Sequence, residues 1–113
     1  MTEQILPVHT VGSLTVVTLP DEIDLLNVAQ IQEGLDERVG SGSGSLVVDM
    51  TQTRYCDSAG IATLVRVAKA ARAAEVPLRV AVSDPVTRIM RLLGAERVID
   101  VYPSLAAALG EEA

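Results

Sequence analysis

The chain has 113 residues, 49% of them hydrophobic, with two Tyr and neither Phe nor Trp. That length suits one domain that buries roughly 60–70% of its unfolded surface, around a core that has to be aliphatic. A formal charge of -6 with no run of Lys or Arg argues against nucleic acid and anionic membrane as partners, and a single cysteine, Cys56, excludes an internal disulfide and a cysteine-based zinc site.

The start MTEQILPVHT has neither a basic end nor a long apolar run, and no stretch approaches the about 20 apolar residues of a membrane span. The expectation is therefore one cytoplasmic domain over residues 1–113. Residues 5–9 (ILPVH) predict a short edge strand, because Pro7 cannot donate to a ladder. SLTVVTL (13–19) is rich in β-branched residues and predicts a firm strand, which Pro20 and the acids Asp21, Glu22 and Asp24 end. Val28, Ile31, Leu35 and Val39 then recur at helical spacing. Gly34 inside that helix costs about 1 kcal/mol relative to Ala, which the four stripe residues outweigh. GSGSGS (40–45) superficially resembles a phosphate loop, but it precedes a strand and no Lys-Ser/Thr follows, so it reads as a surface connector.

LVVDM (46–50) predicts a central strand covered on at least one face. Past a loop at 51–57, Ile61, Leu64, Val65, Ala68 and Ala71 form a helical stripe that ends before Pro77. LRVAV (78–82) is the next strand. A helix follows over 83–94, with Asp84 as cap, Pro85 in the first turn, Val86, Ile89, Met90 and Leu93 as stripe, and Gly94 as stop. RVIDV (97–101) predicts a last strand, and Ser104 to Leu109 a short helix. Strands alternate with helices after the opening pair. The fold class is thus α/β: a mixed, mainly parallel sheet of about five strands, with about four helices packed mainly on one face.

Chemistry concentrates at Asp57-Ser58-Ala59-Gly60, where the loop becomes a helix. On residue types alone this is a helix cap, with Gly60 keeping the turn tight. A nucleophile elbow needs Gly two positions before the serine, but Cys56 stands there, and the sole histidine, His9, sits on the predicted edge strand. Cys56 itself has no obvious base and reads as a structural cysteine. Asp21, Asp24, Asp49 and Asp57 match no metal-loop spacing and read as solvated acids and caps.

VVDMTQTRYCDSAGIATL resembles the signature of the STAS domain, specifically of bacterial anti-sigma factor antagonists. In that signature a strand ends in Asp-x-Ser/Thr, a short loop follows, and Asp-Ser-x-Gly-x-x-x-Leu opens a helix. Asp49, Thr51, Asp57, Ser58, Gly60 and Leu64 occupy those places. LPDEIDLLNVAQIQEGL is similar to the family's acidic turn and first helix, and VYPSLAAAL to its closing strand and helix. Departures are Asp21 where the family often has Gly, Ile23 for Leu, and Cys56 for a larger apolar residue.

The resemblance implies that Ser58 is phosphorylated by an anti-sigma factor that is itself a serine kinase. The unphosphorylated form binds that kinase and frees a sigma factor, phosphorylation releases it, and a serine phosphatase resets it. It implies partner switching in transcription regulation or stress response by a phosphoprotein that is not an enzyme and carries no cofactor or metal. The rival within the family is a non-switching STAS scaffold subunit of a signalling or lipid-transport assembly; a hydrolase using Ser58 is a distant third. Independently of the family, the stripe turns Ala59, Ala62, Thr63, Arg66, Ala70 and Ala73 outward, which reads equally as a flat docking face beside Ser58 or as alanine used simply as the best helix former. Partner contacts are accordingly expected at Asp57, Ser58, Ala59, Gly60, Ala62, Thr63, Arg66 and Asp24.

Overall fold

β-Branched residues around a two-residue turn, with Gly12 at φ +60°, form an antiparallel hairpin of β1 (Val8–Val11) and β2 (Leu14–Thr18). The computed structural model describes residues 6–42 and 44–110. Parallel to β2 run β4 (Leu46–Met50), β6 (Leu78–Val82) and β7 (Val101–Tyr102), giving the strand order β1-β2-β4-β6-β7. The crossovers carry α1 (Val28–Gly40), α2 (Ser58–Ala73) and α3 (Asp84–Leu93), and α4 (Leu105–Leu109) closes the fold. A second, parallel two-stranded sheet pairs β3 (Glu22–Ile23) with β5 (Tyr55–Cys56).

Strand periodicity divides the core. Val17, Val48, Val80 and Val82 join Ile31 and Leu35 of α1, Ile61 and Leu64 of α2, and Val86 and Met90 of α3 in one apolar layer. Val16, Val47 and Ala81 point the other way and meet Ala108 of α4. All five residues of β4 are buried, which is why that strand reads as a compact apolar run with one acid, Asp49, rather than an alternation. Three helices on one face and one short helix on the other match the expected architecture. Among the described residues no helix is long and apolar enough to cross a membrane.

Local expectations shift in several places. The first strand begins at Val8, after Pro7; Ile5 and the rest of the MTEQI start lie outside the described residues, as does Ser43 of the connector. Ser83, not Asp84, caps α3, and Asp84 is its first residue, where an acid favours the helix dipole. Leu93 is exposed, while Val86, Met90 and half-buried Ile89 seat α3 on the core. Residues 97–101 are not a strand. Left-handed Gly94 (φ +71°) leads into a 3-10 turn at Ala95–Arg97, and only Val101–Tyr102 reaches the ladder. Ile99 is buried without belonging to a strand, so its apolarity serves packing. Gly34 has a positive role: a Cβ there would stand 3.1 Å from Leu6 Cδ1, so the glycine lets the chain before β1 lie over α1.

Candidate functional site

Because β2, β4 and β6 are parallel, their C-terminal ends open on one edge, where loops of different crossovers meet. Asp49 ends β4 by accepting from Thr51 N at 2.9 Å and Thr51 Oγ1 at 2.7 Å, an Asx turn that redirects the chain. Arg54 N and Tyr55 N donate to Asp21 O, Asp57 N donates to Ile23 O, and an Arg54–Asp21 ion pair at 2.9 Å lies outside. Asn27 clasps the other strand of the small sheet, accepting from Asp24 N and donating to Glu22 O. The small sheet therefore fixes where Asp57 begins α2.

Asp57 is the cap: its Oδ1 accepts from Gly60 N at 2.9 Å, and its carbonyl accepts from Ile61 N. Ser58 is the first helical residue and is exposed. Among the described residues its hydroxyl has no hydrogen-bond partner. Gly60 is required by close approach rather than by a turn. A Cβ would fall 2.6 Å from Cys56 Sγ and 2.9 Å from Ile23 Cγ2, so the glycine lets both strands of the small sheet press on the start of the helix.

The nucleophilic alternatives lose their chemistry here. Cys56 is buried, and burial, with the Asp57 charge adding, pushes its thiol up to about 12. The native thiol is expected to resist iodoacetamide at pH 8 and to react once the chain is denatured; equal rates in both states would refute its burial. His9 lies on β1 at the sheet edge, with β2 between it and β4. The four aspartates have separate tasks: Asp21 pairs with Arg54, Asp24 accepts from Leu26 N, Asp49 from Thr51, and Asp57 from Gly60. Among the described residues no group of three metal-ligating side chains forms.

Of the expected contact residues, Asp57, Ser58, Ala59 and exposed Ala62 share the start of α2, Asp24 is joined to it through β3 and β5, and Gly60 is a correction because it is buried under the small sheet. Thr63 is a correction. It is 2% exposed, because α2 packs on α1 as well as on the sheet, and Val67 is buried for the same reason. Arg66 is exposed but donates to Thr63 Oγ1 at 3.0 Å and Gln32 Oε1 at 3.4 Å, bracing α2 on α1. The sequence reading missed Leu25, Leu26 and Tyr55, which are 78%, 91% and 54% exposed on the two segments holding Ser58. Asp24 O accepts from Asn27 N and Val28 N, a tight turn that displays the two leucines. Their apolarity alone would have placed them in the core.

Three comparisons with known proteins bear on this arrangement. No curated protein matches the chain in sequence. In fold it is similar to an anti-sigma factor antagonist from Mycobacterium paratuberculosis (TM-score 0.82, 21% identity, 94% of this chain and 91% of that one). It is similar to Moorella thermoacetica RsbS with glutamate in place of a serine (TM-score 0.73, 20% identity, 96% and 94% covered). It is also similar to the Bacillus cell fate determinant SpoIIAA in its phosphorylated form (TM-score 0.68, 15% identity, 94% and 97% covered). The profile of the STAS domain matches residues 6–108, from the segment before β1 into α4, and the chain belongs to the STAS domain family.

Proposed function

We propose that the protein is a cytoplasmic anti-sigma factor antagonist whose binding to an anti-sigma factor serine kinase is switched off by phosphorylation of Ser58 and restored by a phosphatase. The observation that carries this reading is the division of labour at α2. Asp57 takes the capping role, so the Ser58 hydroxyl stands exposed and unbonded at a helix N-terminus. With no imidazole beside it and a neutral thiol at Cys56, the serine is acted upon rather than acting.

The helix dipole and the first free N–H groups of α2 tolerate a phosphate, so modification leaves the fold in place. The docking face in this reading comprises the start of α2 with Ala59 and Ala62, together with Asp24, Leu25, Leu26 and Tyr55. Replacing Leu25 and Leu26 by Ser is expected to weaken the kinase complex by about tenfold or more, as loss of apolar interface anchors does, and to leave the melting temperature unchanged. Unchanged affinity by calorimetry would remove the leucines from the interface.

Incubation with ATP and the small serine kinases of the same genome, followed by mass spectrometry, tests the switch. One phosphate on Ser58 is the expected result. Tight binding without modification would favour the non-switching scaffold reading instead.

A further inference from the structure

The hydroxyl of Ser83 sits in an unusual place for a helix cap. Two other caps in the chain are close to their amides: Asp57 Oδ1 is 2.9 Å from Gly60 N, and Ser104 Oγ is 3.0 Å from Ala107 N. Ser83 Oγ stands 3.5 Å from Val86 N, at the limit of a hydrogen bond, and only 2.6 Å from Thr53 O. A carbonyl only accepts, so the serine donates to it.

Thr53 is itself fully buried at 0% exposure. Its N–H donates to Met50 O at the end of β4, its Oγ1 donates to Pro20 O just past β2, and its carbonyl receives Ser83 just past β6. One threonine thus ties the exits of three neighbouring strands. The next residues, Arg54 and Tyr55, pair with Asp21, and the run ends at Asp57 and Ser58.

We propose that Ser83 is a positioning residue for Ser58: through the Thr53 carbonyl it clamps the loop that presents the serine, beyond capping α3. Its consequence for phosphorylation rests on the function proposed above; the clamp itself does not. A tie with no role beyond α3 would predict a well-formed cap and a loose loop contact, the reverse of the distances seen.

Ser83→Asp separates the two roles. The carboxylate still accepts from Val86 N but cannot donate to Thr53 O. In the purified protein, amide exchange at Arg54, Tyr55, Asp57 and Gly60 is expected to quicken about tenfold, the scale of one lost net hydrogen bond, while Thr87 to Met90 of α3 keep wild-type rates. Ser83→Thr, which keeps the donor, restores wild-type exchange. Unchanged exchange at 54–60 in Ser83→Asp, or equal acceleration in α3, would overturn the clamp. With the cognate kinase, Ser83→Asp is expected to raise KM about tenfold and Ser83→Thr to leave it unaltered, the cost of a hydroxyl presented in a looser loop. Equal KM values would overturn the positioning role. A wild-type chain that no kinase modifies would defeat the functional reading alone, and the exchange rates would still decide the clamp.

Discussion

Phosphorylated protein, and Ser58→Asp, are expected to bind the anti-sigma factor kinase about a thousandfold more weakly than the unmodified chain. A phosphate brings about -1.5 to -2 charges at neutral pH to a site that already holds Asp57. One close like-charge contact across the interface, at an effective dielectric near 20, is worth about 4 kcal/mol, which is roughly three decades of affinity. Inverting occupancy from 99:1 to 1:99 needs about 5.5 kcal/mol, so charge with a modest steric clash suffices without refolding. Ser58→Ala separates charge from shape: it cannot be modified and should bind within a few-fold of the wild type. Titration calorimetry on the four forms decides the matter. Retained tight binding by the phosphorylated sample would end the switch as proposed.

Gly60→Ala is expected to destabilise the fold by about 2 kcal/mol, lowering the melting temperature by roughly 10 °C for a chain of this size. Two effects compete. Alanine gains about 1 kcal/mol in helix propensity, and the glycine backbone here has no left-handed φ to protect. Against that stand contacts of 2.6 Å to Cys56 Sγ and 2.9 Å to Ile23 Cγ2, both from buried groups with little room to retreat. Overpacking wins because both neighbours belong to the small sheet that sets the start of α2. Combining Gly60→Ala with Cys56→Ala removes the closer contact and should recover part of the loss in a double-mutant cycle. Strict additivity of the two substitutions in thermal melts would show that the sulfur is not the obstacle.

The residues that carry strong local physics were legible without the fold. The run rich in β-branched residues at 14–18 and the compact apolar run at 46–50 each mark a strand by composition, the spacing of Ile31, Leu35 and Val39 marks a helix by its period, and each occupies the element it signals. Asp57, Ser58 and Gly60 marked a helix start by residue type. Elements held by long-range contacts were not legible. β3 and β5 have two residues each, too few to show an alternation, and exist because Asp21 and Ile23 carbonyls meet amides more than thirty positions on. Thr63 reads as a surface residue by its chemistry and is buried because α1 lies on that side of α2. Leu25 and Leu26 carry no local signal of exposure, yet the Asp24–Asn27 turn holds them outside.

Local periodicity and capping chemistry, which act over a few residues, determined the α/β order, the aliphatic core and the place of Ser58 at the head of a helix. Only the tertiary structure decided which residue caps that helix, which freed the hydroxyl, and which groups hold it in place. Thr53 and Ser83 are thirty positions apart and look ordinary alone. Their contact depends on parallel strands ending at a common edge, a property of the assembled sheet.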